Sequence, residues 1–309
     1  MTAAIEARNV ARSFGTKAVV IDASLSVAPG SITALVGPNG SGKTTLMLML
    51  ATLLRPDSGE IRIAGHDPLR ATAAARAQLG WMPDTLGSWG TLTVRETLFA
   101  VCRMYGLTAD TANTRTQELL AIADLGQLAG QRTNTLSRGQ KQRLSLARAY
   151  AHQPSVLLLD EPASGLDPEA RLAQRASLSR LAERGVAVLV TSHVLDELEQ
   201  LATDVVLMRD GRTVSAELAA QAAETTRWRV RATDPEALLA ALASAGVAAE
   251  RRGGISGDHV VVLVAGEAGA ASLLRNLITT GIDVIEYAPL SGTLERAFMG
   301  SVRAEEDGA

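Results

Sequence analysis

Apolar residues along the chain alternate between short continuous runs and longer stretches with helical spacing. The runs SVLLLD (155–160) and VAVLVTS (186–192) have the length and the leucine and β-branched content of strands buried on both faces. Further strand-like runs lie near 5–10, 19–27, 59–67, 77–83 and 204–211. Because strands alternate with helical stretches, the pattern predicts an α/β fold with a parallel sheet.

A helical insert interrupts this alternation. The apolar spacing is helical from Val94 to about His152, with the segments VRETLFAVCRMYG and TRTQELLAIADL followed by a basic helix. We therefore place a helical subdomain at about 84–153, and we expect a further helix, VLDELEQLA, at 194–202.

The character of the chain changes after about Ser215. A short helix at 217–224 leads into the order β-α-β-β-α-β, which is that of a split, ferredoxin-like α+β domain. A last helix, TLERAFMG, closes the chain. The pattern predicts two domains, 1–214 and 215–309.

Composition narrows the class of protein. Apolar residues make up 47% of the 309 residues and charged residues 20%, which is typical of a globular chain. The formal net charge of −3 argues against nucleic acid as a partner. No uncharged apolar run reaches the ~18 residues that a membrane-spanning helix needs, and the N-terminus has no signal pattern. One cysteine, Cys102, predicts a buried core residue and a reducing compartment.

A glycine-rich segment between a strand and a helix matches the phosphate-loop pattern G-x-x-x-x-G-K-[ST]. Its glycines let backbone N–H groups turn towards phosphate oxygens, and the helix start adds a positive end. Lys43 is expected to reach the β- and γ-phosphates of a nucleotide, and Thr44 to ligate Mg²⁺. The predicted ATP-binding residues here are Gly37, Pro38, Asn39, Gly40, Ser41, Gly42, Lys43, Thr44 and Thr45.

Two acidic residues end the buried strand in LLLDEP (157–162). Ligands bind at the carboxyl ends of strands in open α/β sheets, so both acids should face the phosphate loop. Asp160 is expected to hold Mg²⁺. Glu161 is expected to polarise the attacking water.

A second anion-binding pattern lies a hundred residues later, in TLSRGQKQRLSLARA (135–149), where Ser137 caps a basic helix. Together with the two motifs above, LSRGQ (136–140) resembles the LSGGQ signature of the ATP-binding cassette (ABC) family over residues 3–214. The resemblance implies the P-loop NTPase cassette, which has a mixed sheet core and a helical subdomain. It also implies a head-to-tail pair of cassettes, in which Ser137 and Gly139 of one contact the ATP held by the other.

The same resemblance assigns roles to single residues. Phe14 falls where an aromatic ring stacks on adenine, His193 matches the catalytic histidine that reaches the γ-phosphate, and Asp167 matches a residue at the dimer contact. Two positions depart from the family. Asp84 replaces a glutamine that contacts Mg²⁺ and the attacking water, and we expect it to remain a metal contact. Arg138 replaces a glycine; it is given no role and is expected to point to solvent.

The family resemblance further implies an ATPase subunit that docks on a separate membrane permease at the cytoplasmic face of the membrane. Trp89 and Leu92 are candidate contacts, and a place in the helical core is the alternative for both. The tail resembles those of ABC-2 type drug and antibiotic exporters, so export of a drug, antibiotic or lipid-like compound is favoured. The alternatives are an importer ATPase and a non-transport ABC ATPase with a regulatory or nucleic-acid-associated role.

Overall fold

The computed structural model describes residues 3–87, 89–192, 201–215, 226–253 and 259–289. The chain divides into two compact units, Met1–Val214 and Ser215–Ala309. Residues 194–200 of the helix predicted at 194–202, the helices predicted at 217–224 and 293–300, and the candidate residue His193 lie outside the described residues.

The first unit contains nine strands and six α-helices among its described residues. The strands are β1 (Ile5–Phe14), β2 (Lys17–Val27), β3 (Ile32–Val36), β4 (Ser58–Ile63), β5 (Leu79–Met82), β6 (Val156–Leu159), β7 (Ala187–Ser192), β8 (Asp204–Arg209) and β9 (Arg212–Ser215). The helices are α1 (Lys43–Leu50), α2 (Thr72–Ala77), α3 (Val94–Met104), α4 (Ala109–Ile122), α5 (Arg138–Ala149) and α6 (Pro168–Glu183).

The strands form one mixed sheet in the order β4-β1-β2-β9-β8-β3-β7-β6-β5. β1 pairs antiparallel with β2 and β4, whereas β3 and β5 to β8 run parallel. The register pairs Val36 with Ser192 and Met82 with Leu159, so the parallel strands end at one edge. This confirms the predicted mixed sheet. It also brings together the loops that follow β3, β5 and β6.

Helix α1 carries the phosphate loop into the core. Its residues Leu46, Met47, Met49 and Leu50 are buried in one cluster with apolar side chains of β1, β2 and β6. Burial of a leucine-sized side chain contributes roughly 1.5–3 kcal/mol, so this packing fixes the start of α1 against the sheet.

Side-chain caps define the starts of the helices in the predicted helical subdomain. Thr93 forms a capping box with Glu96 at α3, and Ser137 forms one with Gln140 at α5.

None of the described helices is both long and apolar enough to cross a membrane.

Where the structure describes it, the second unit forms a four-stranded antiparallel sheet with two helices. Its elements are β10 (Thr226–Ala232), α7 (Pro235–Ser244), β11 (Ala249–Arg252), β12 (His259–Val264), α8 (Gly266–Thr279) and β13 (Val284–Pro289). The strand order β11-β12-β10-β13 is that of the split β-α-β arrangement. Val230, Leu242 and Val262 lie at the centre of its core.

Three elements differ from the sequence prediction. β1 continues to Phe14, four residues beyond the predicted end at Val10, because a tight turn pairs Phe14 with Lys17 of β2. The short helix α2 and the four-residue strand β9 carried too little periodicity to be predicted.

Candidate active site

The loops at the carboxyl edge of the parallel strands enclose a cavity of about 640 Å³. Phosphate-loop residues line one part of it, and acidic residues from the loops after β5 and β6 line another. The sequence-predicted residues in its wall are Asn39, Gly40, Gly42, Lys43, Thr44, Thr45, Asp84, Asp160 and Glu161. The structure therefore joins the two nucleotide motifs in one site.

Lys43 is buried at the start of α1, and its ammonium group donates to the carbonyl oxygens of Gly37 (2.7 Å) and Pro38 (3.0 Å). Burial lowers the pKa of Lys43, while the carboxylates of Glu161 and Asp160 act in the opposite direction. The loop thus holds a desolvated cation in the wall of the cavity, where an anionic phosphate would replace the carbonyl contacts.

The start of α1 also suits an anion. Its N-cap is Gly42, which supplies no side-chain hydrogen bond, in contrast to Ser137 at α5 and Thr93 at α3. The first N–H groups of such a helix have no intrahelical acceptor. Within the same loop, the hydroxyl of Ser41 is buried and has no hydrogen-bond partner among the described residues. Both features fit a loop that is completed by phosphate.

Asp160 and Glu161 follow the fully buried strand β6, and Asp160 is only 3% exposed. A hydroxyl from the neighbouring strand β7 organises both. Thr191 donates to Asp160 Oδ1 at 2.7 Å and accepts from the Glu161 N–H at 2.8 Å. Glu161 itself has a left-handed backbone, φ 49°. The role of Thr191 was not predicted, because no sequence motif marks a contact across two parallel strands.

The oxygen donors of the cavity match the chemistry of Mg²⁺. This ion is usually held by one or two carboxylates together with substrate phosphates and water. The cavity offers the Thr44 hydroxyl with the carboxylates of Asp160 and Asp84, of which Asp84 is exposed. The described residues include no group of three or more His, Cys, Asp or Glu side chains that could hold a metal ion by themselves.

Ser137 and Gly139 do not line this cavity. They lie at the start of α5, where Ser137 and Gln140 bond each other's backbone N–H groups, at 3.3 and 2.9 Å. The side chain of Arg138 makes a contact that the sequence did not predict. Although the residue is exposed, its Nε donates to the carbonyl oxygen of Ser164 at 2.8 Å. Sequence cannot foresee this contact, because it joins loops 26 residues apart.

Two further predicted site residues, Phe14 and Asp167, do not line this cavity. Phe14 is 49% exposed, so it is not a core aromatic, and the Arg12 guanidinium lies 5.1 Å from the centre of its ring. Asp167 is the N-cap of α6 and accepts from the Ala170 N–H at 2.8 Å. His193 follows the last described residue of β7 and lies outside the structural description.

Comparison with known proteins identifies relatives of this chain. Residues 20–164 match the family model for ABC transporters. The chain is 40% identical over 213 residues to the Nod factor export ATP-binding protein I of Paraburkholderia xenovorans, which covers 69% of this chain and 70% of that protein. It is 34% identical to the linearmycin resistance ATP-binding protein LnrL of Bacillus subtilis, over 68% of each chain.

Solved structures share the fold. An ATP-binding subunit of an ABC transporter matches with a TM-score of 0.64 and 26% identity, over 70% of this chain and 92% of its own. A dimeric ATP-binding cassette, MJ0796, bound to ADP and phosphate, matches with a TM-score of 0.61 and 24% identity, over 68% and 98%. Because its curated relatives match it across more than two thirds of their length, this chain belongs to the ABC transporter family, as an ATP-binding subunit.

Proposed function

We propose that two copies of this cassette hydrolyse ATP to ADP and phosphate at their shared interface and so drive a separate membrane permease. One observation carries the proposal. Lys43, Asp160 and Glu161 surround a single cavity, whereas Ser137 and Gly139 lie outside it in the same chain. A second anion-binding loop that cannot serve its own cavity is expected if it serves the cavity of a partner.

The residues of the cavity divide the chemistry between them. Lys43 and the uncapped start of α1 bind the phosphates. Glu161, with its backbone held by Thr191, accepts a hydrogen bond from the attacking water and orients it towards the γ-phosphate. Thr44 and Asp160 would hold Mg²⁺, whose positive charge would offset the negative charge of the phosphates. The exposed ring of Phe14 stacks on the adenine.

The signature loop supplies the contact from the partner chain. The capping box places the Ser137 hydroxyl and the first N–H groups of α5 at one exposed helix start. In a head-to-tail pair this helix start, with Gly139, contacts the γ-phosphate of the ATP that the partner binds. The partner's His193 contacts the same γ-phosphate. Hydrolysis removes these contacts, so the pair reopens.

A second cavity in the first unit, of about 600 Å³, fits a permease contact. Trp89 lies in its wall, together with the exposed side chains of Leu53, Met104 and Tyr105. The Arg148 guanidinium lies 5.4 Å from the centre of the Trp89 ring, which holds the ring at the rim. An apolar groove with an aromatic anchor suits a cytoplasmic helix of the permease. Leu92 does not line this groove.

Export is the favoured direction, because relatives of this chain include a Nod factor export ATP-binding protein and a linearmycin resistance ATP-binding protein. We infer that the cargo is a drug, antibiotic or lipid-like compound and that the chain works at the cytoplasmic face of the membrane through its permease. Cells that express the chain with that permease should tolerate more of the exported compound. Cells with the Glu161→Gln chain should not.

The decisive experiment replaces Glu161 by glutamine in the full chain. The amide keeps the shape of the side chain but cannot act as a base, so turnover should fall by about 10²–10⁴. ATP should still bind, and size-exclusion chromatography should show dimers only with ATP. A variant that stays monomeric with ATP and keeps full activity would overturn the proposal.

A further inference from the structure

The side chain of Arg138 bridges two loops of the same chain. It starts in the signature loop and reaches the segment 164–167, which is called the D-loop below. Its Nε donates to the Ser164 carbonyl oxygen at 2.8 Å, and its Nη2 lies 3.3 Å from the Ser164 hydroxyl. The guanidinium also lies against Gly165. A Cβ built on that glycine would be 2.7 Å from Arg138 Nε, so a side chain at position 165 would force the arginine away.

Other side chains hold the carbonyl oxygens in and next to the D-loop. Gln142, which is buried in α5, donates its Nε2 to the same Ser164 oxygen at 3.0 Å. Arg171 Nε donates to the Leu166 oxygen at 2.9 Å. Gln174 Nε2 donates to the Pro162 oxygen at 2.8 Å. The segment after Glu161 is therefore positioned by donors from α5 and α6, and Arg138 is the donor that comes from the signature loop.

The D-loop is joined in turn to Glu161. The Ser164 N–H donates to the Glu161 carbonyl oxygen at 3.1 Å, and the Glu161 N–H donates to Thr191. The left-handed backbone of Glu161 is a strained conformation that persists only where the surrounding structure holds it. A displacement of Ser164 would therefore reach the catalytic glutamate through one hydrogen bond.

We propose that Arg138 is a positioning residue that ties the signature loop to the D-loop of its own chain. The inference rests on the two-chain site described above, in which Ser137 and Gly139 contact the partner's ATP. Through Arg138, the loop that holds the partner's nucleotide sets the position of the chain's own Glu161. Glycine, the family's residue at this position, cannot make this connection.

The rival role is a direct contact of Arg138 with the partner's phosphates, and mixed dimers separate the two. In the reference dimer, one subunit carries Glu161→Gln, so hydrolysis uses Glu161 of the other subunit. Arg138→Ala is added either to the subunit that keeps Glu161 or to the subunit that carries Glu161→Gln. Lys141→Ala, which removes a cation from the same helix, is the matched control in each arrangement.

Arg138→Ala in the subunit that keeps Glu161 should lower kcat about three- to tenfold, with KM for ATP unchanged, because one charge-assisted hydrogen bond is lost. In the other subunit it should leave kcat at the reference value. The reverse pattern would show a contact with the partner's ATP and overturn the proposal. Equal loss in both arrangements, or no loss in either, would also overturn it.

Hydrogen exchange tests the tie without hydrolysis. In the nucleotide-free chain, Arg138→Ala should speed exchange of the D-loop amides, including those of Ser164 and Leu166, which are hydrogen-bonded within the loop region. Lys141→Ala should not. Unchanged D-loop exchange overturns the tie. Faster exchange with no ATPase activity in the reference dimer would leave the tie standing and count against the proposed function.

Discussion

The hydroxyl of Thr191 and the carboxylate of Asp160 are joined by a buried hydrogen bond of 2.7 Å between adjacent strands. The same hydroxyl accepts from the Glu161 N–H, so one oxygen sets the position of two acidic residues. Thr191 is fully buried, and water cannot replace it. The positions of Asp160 and Glu161 in the cavity therefore depend on Thr191, which is not itself expected to contact the nucleotide.

Thr191→Val should damage both stability and catalysis. Valine has the same shape but leaves the Glu161 N–H and the Asp160 oxygen without their partner, at a cost of about 1–3 kcal/mol in the free energy of unfolding. The ATPase kcat should also fall, because Asp160 and Glu161 lose the hydrogen bonds that position them. Thr191→Ser keeps the hydroxyl and is the control. Urea unfolding and steady-state kinetics check both, and a valine variant as stable and active as the wild type would contradict the hydrogen-bond assignment.

Sequence alone predicted the parts of the site that are local in the chain. The phosphate loop and the pair Asp160 and Glu161 each follow a recognisable strand, and the rule that ligands bind at the carboxyl ends of parallel strands placed them together. The role of Thr191 and the hydrogen bond from Arg138 to Ser164 could not be predicted from the sequence. Each depends on which strands or loops become neighbours, and side-chain periodicity carries no such information.

The helices and strands were likewise predicted only where the signal is local in the sequence. Strands β6 and β7 were predicted because they are continuous apolar runs, and the helix start at Ser137 because its capping residue is recognisable. Strand β9 is only four residues long, and its place between β2 and β8 is set by pairing rather than by its own sequence.

Gly37→Ala should destabilise the fold. A Cβ at this position would lie 2.0 Å from the Met208 carbonyl oxygen, and backbone cannot move aside as the end of a flexible side chain can. We expect a loss of about 3 kcal/mol or more in the free energy of unfolding. Gly126→Ala is the control, because nothing lies within 4 Å of a Cβ built there. Equal urea midpoints for the two variants would contradict the close approach.

Phe14 should contribute to nucleotide affinity with little effect on stability. Its ring is 49% exposed, so Phe14→Ala removes little buried surface. Stacking of a base on an aromatic ring is worth about 1–3 kcal/mol, which predicts roughly a fivefold or greater rise in the Kd for ATP. Phe14→Tyr keeps a flat ring and should bind as the wild type does. Titration calorimetry checks the series, and wild-type affinity in Phe14→Ala would exclude stacking.

His152 should make stability depend on pH. Its ring stacks on Tyr105, its Nε2 lies 3.1 Å from the Leu79 carbonyl oxygen, and its Nδ1 is buried without a partner among the described residues. Burial, chiefly, and the Arg115 guanidinium lower the pKa of His152, whereas its backbone hydrogen bond to Leu79 raises it. The native state then binds fewer protons than the unfolded state, so this contribution is fully present above the ordinary pKa of about 6.5 and is lost as the pH falls from there through the lowered pKa of the native state.

The comparison variant is His152→Phe, which keeps a ring for Tyr105 but cannot titrate. Between pH 7 and pH 5 the melting temperature of the wild type should fall more steeply than that of the variant. Parallel curves over this range would show that His152 does not control the pH dependence.

The Mg²⁺ requirement of the ATPase tests whether Asp84 contacts the metal. Asp84 lines the cavity with Asp160, and a carboxylate is a stronger Mg²⁺ ligand than the amide of the usual glutamine. If Asp84 contacts the metal, Asp84→Gln should raise the free Mg²⁺ needed for half-maximal ATPase activity several-fold. Asp210→Asn is the control, since Asp210 lines the same cavity and the change removes the same charge.

The direction of the shift separates contact from repulsion. A carboxylate that only repels the polyphosphate would, once removed, lower the requirement for free Mg²⁺ and the KM for ATP. Asp210→Asn should then act in the same way, because repulsion depends on charge and not on coordination. No change in rate or metal requirement in Asp84→Gln would exclude Asp84 as a metal contact. The loop after β5 would then have no role in metal binding, although it still lies beside the second cavity, which Trp89 lines.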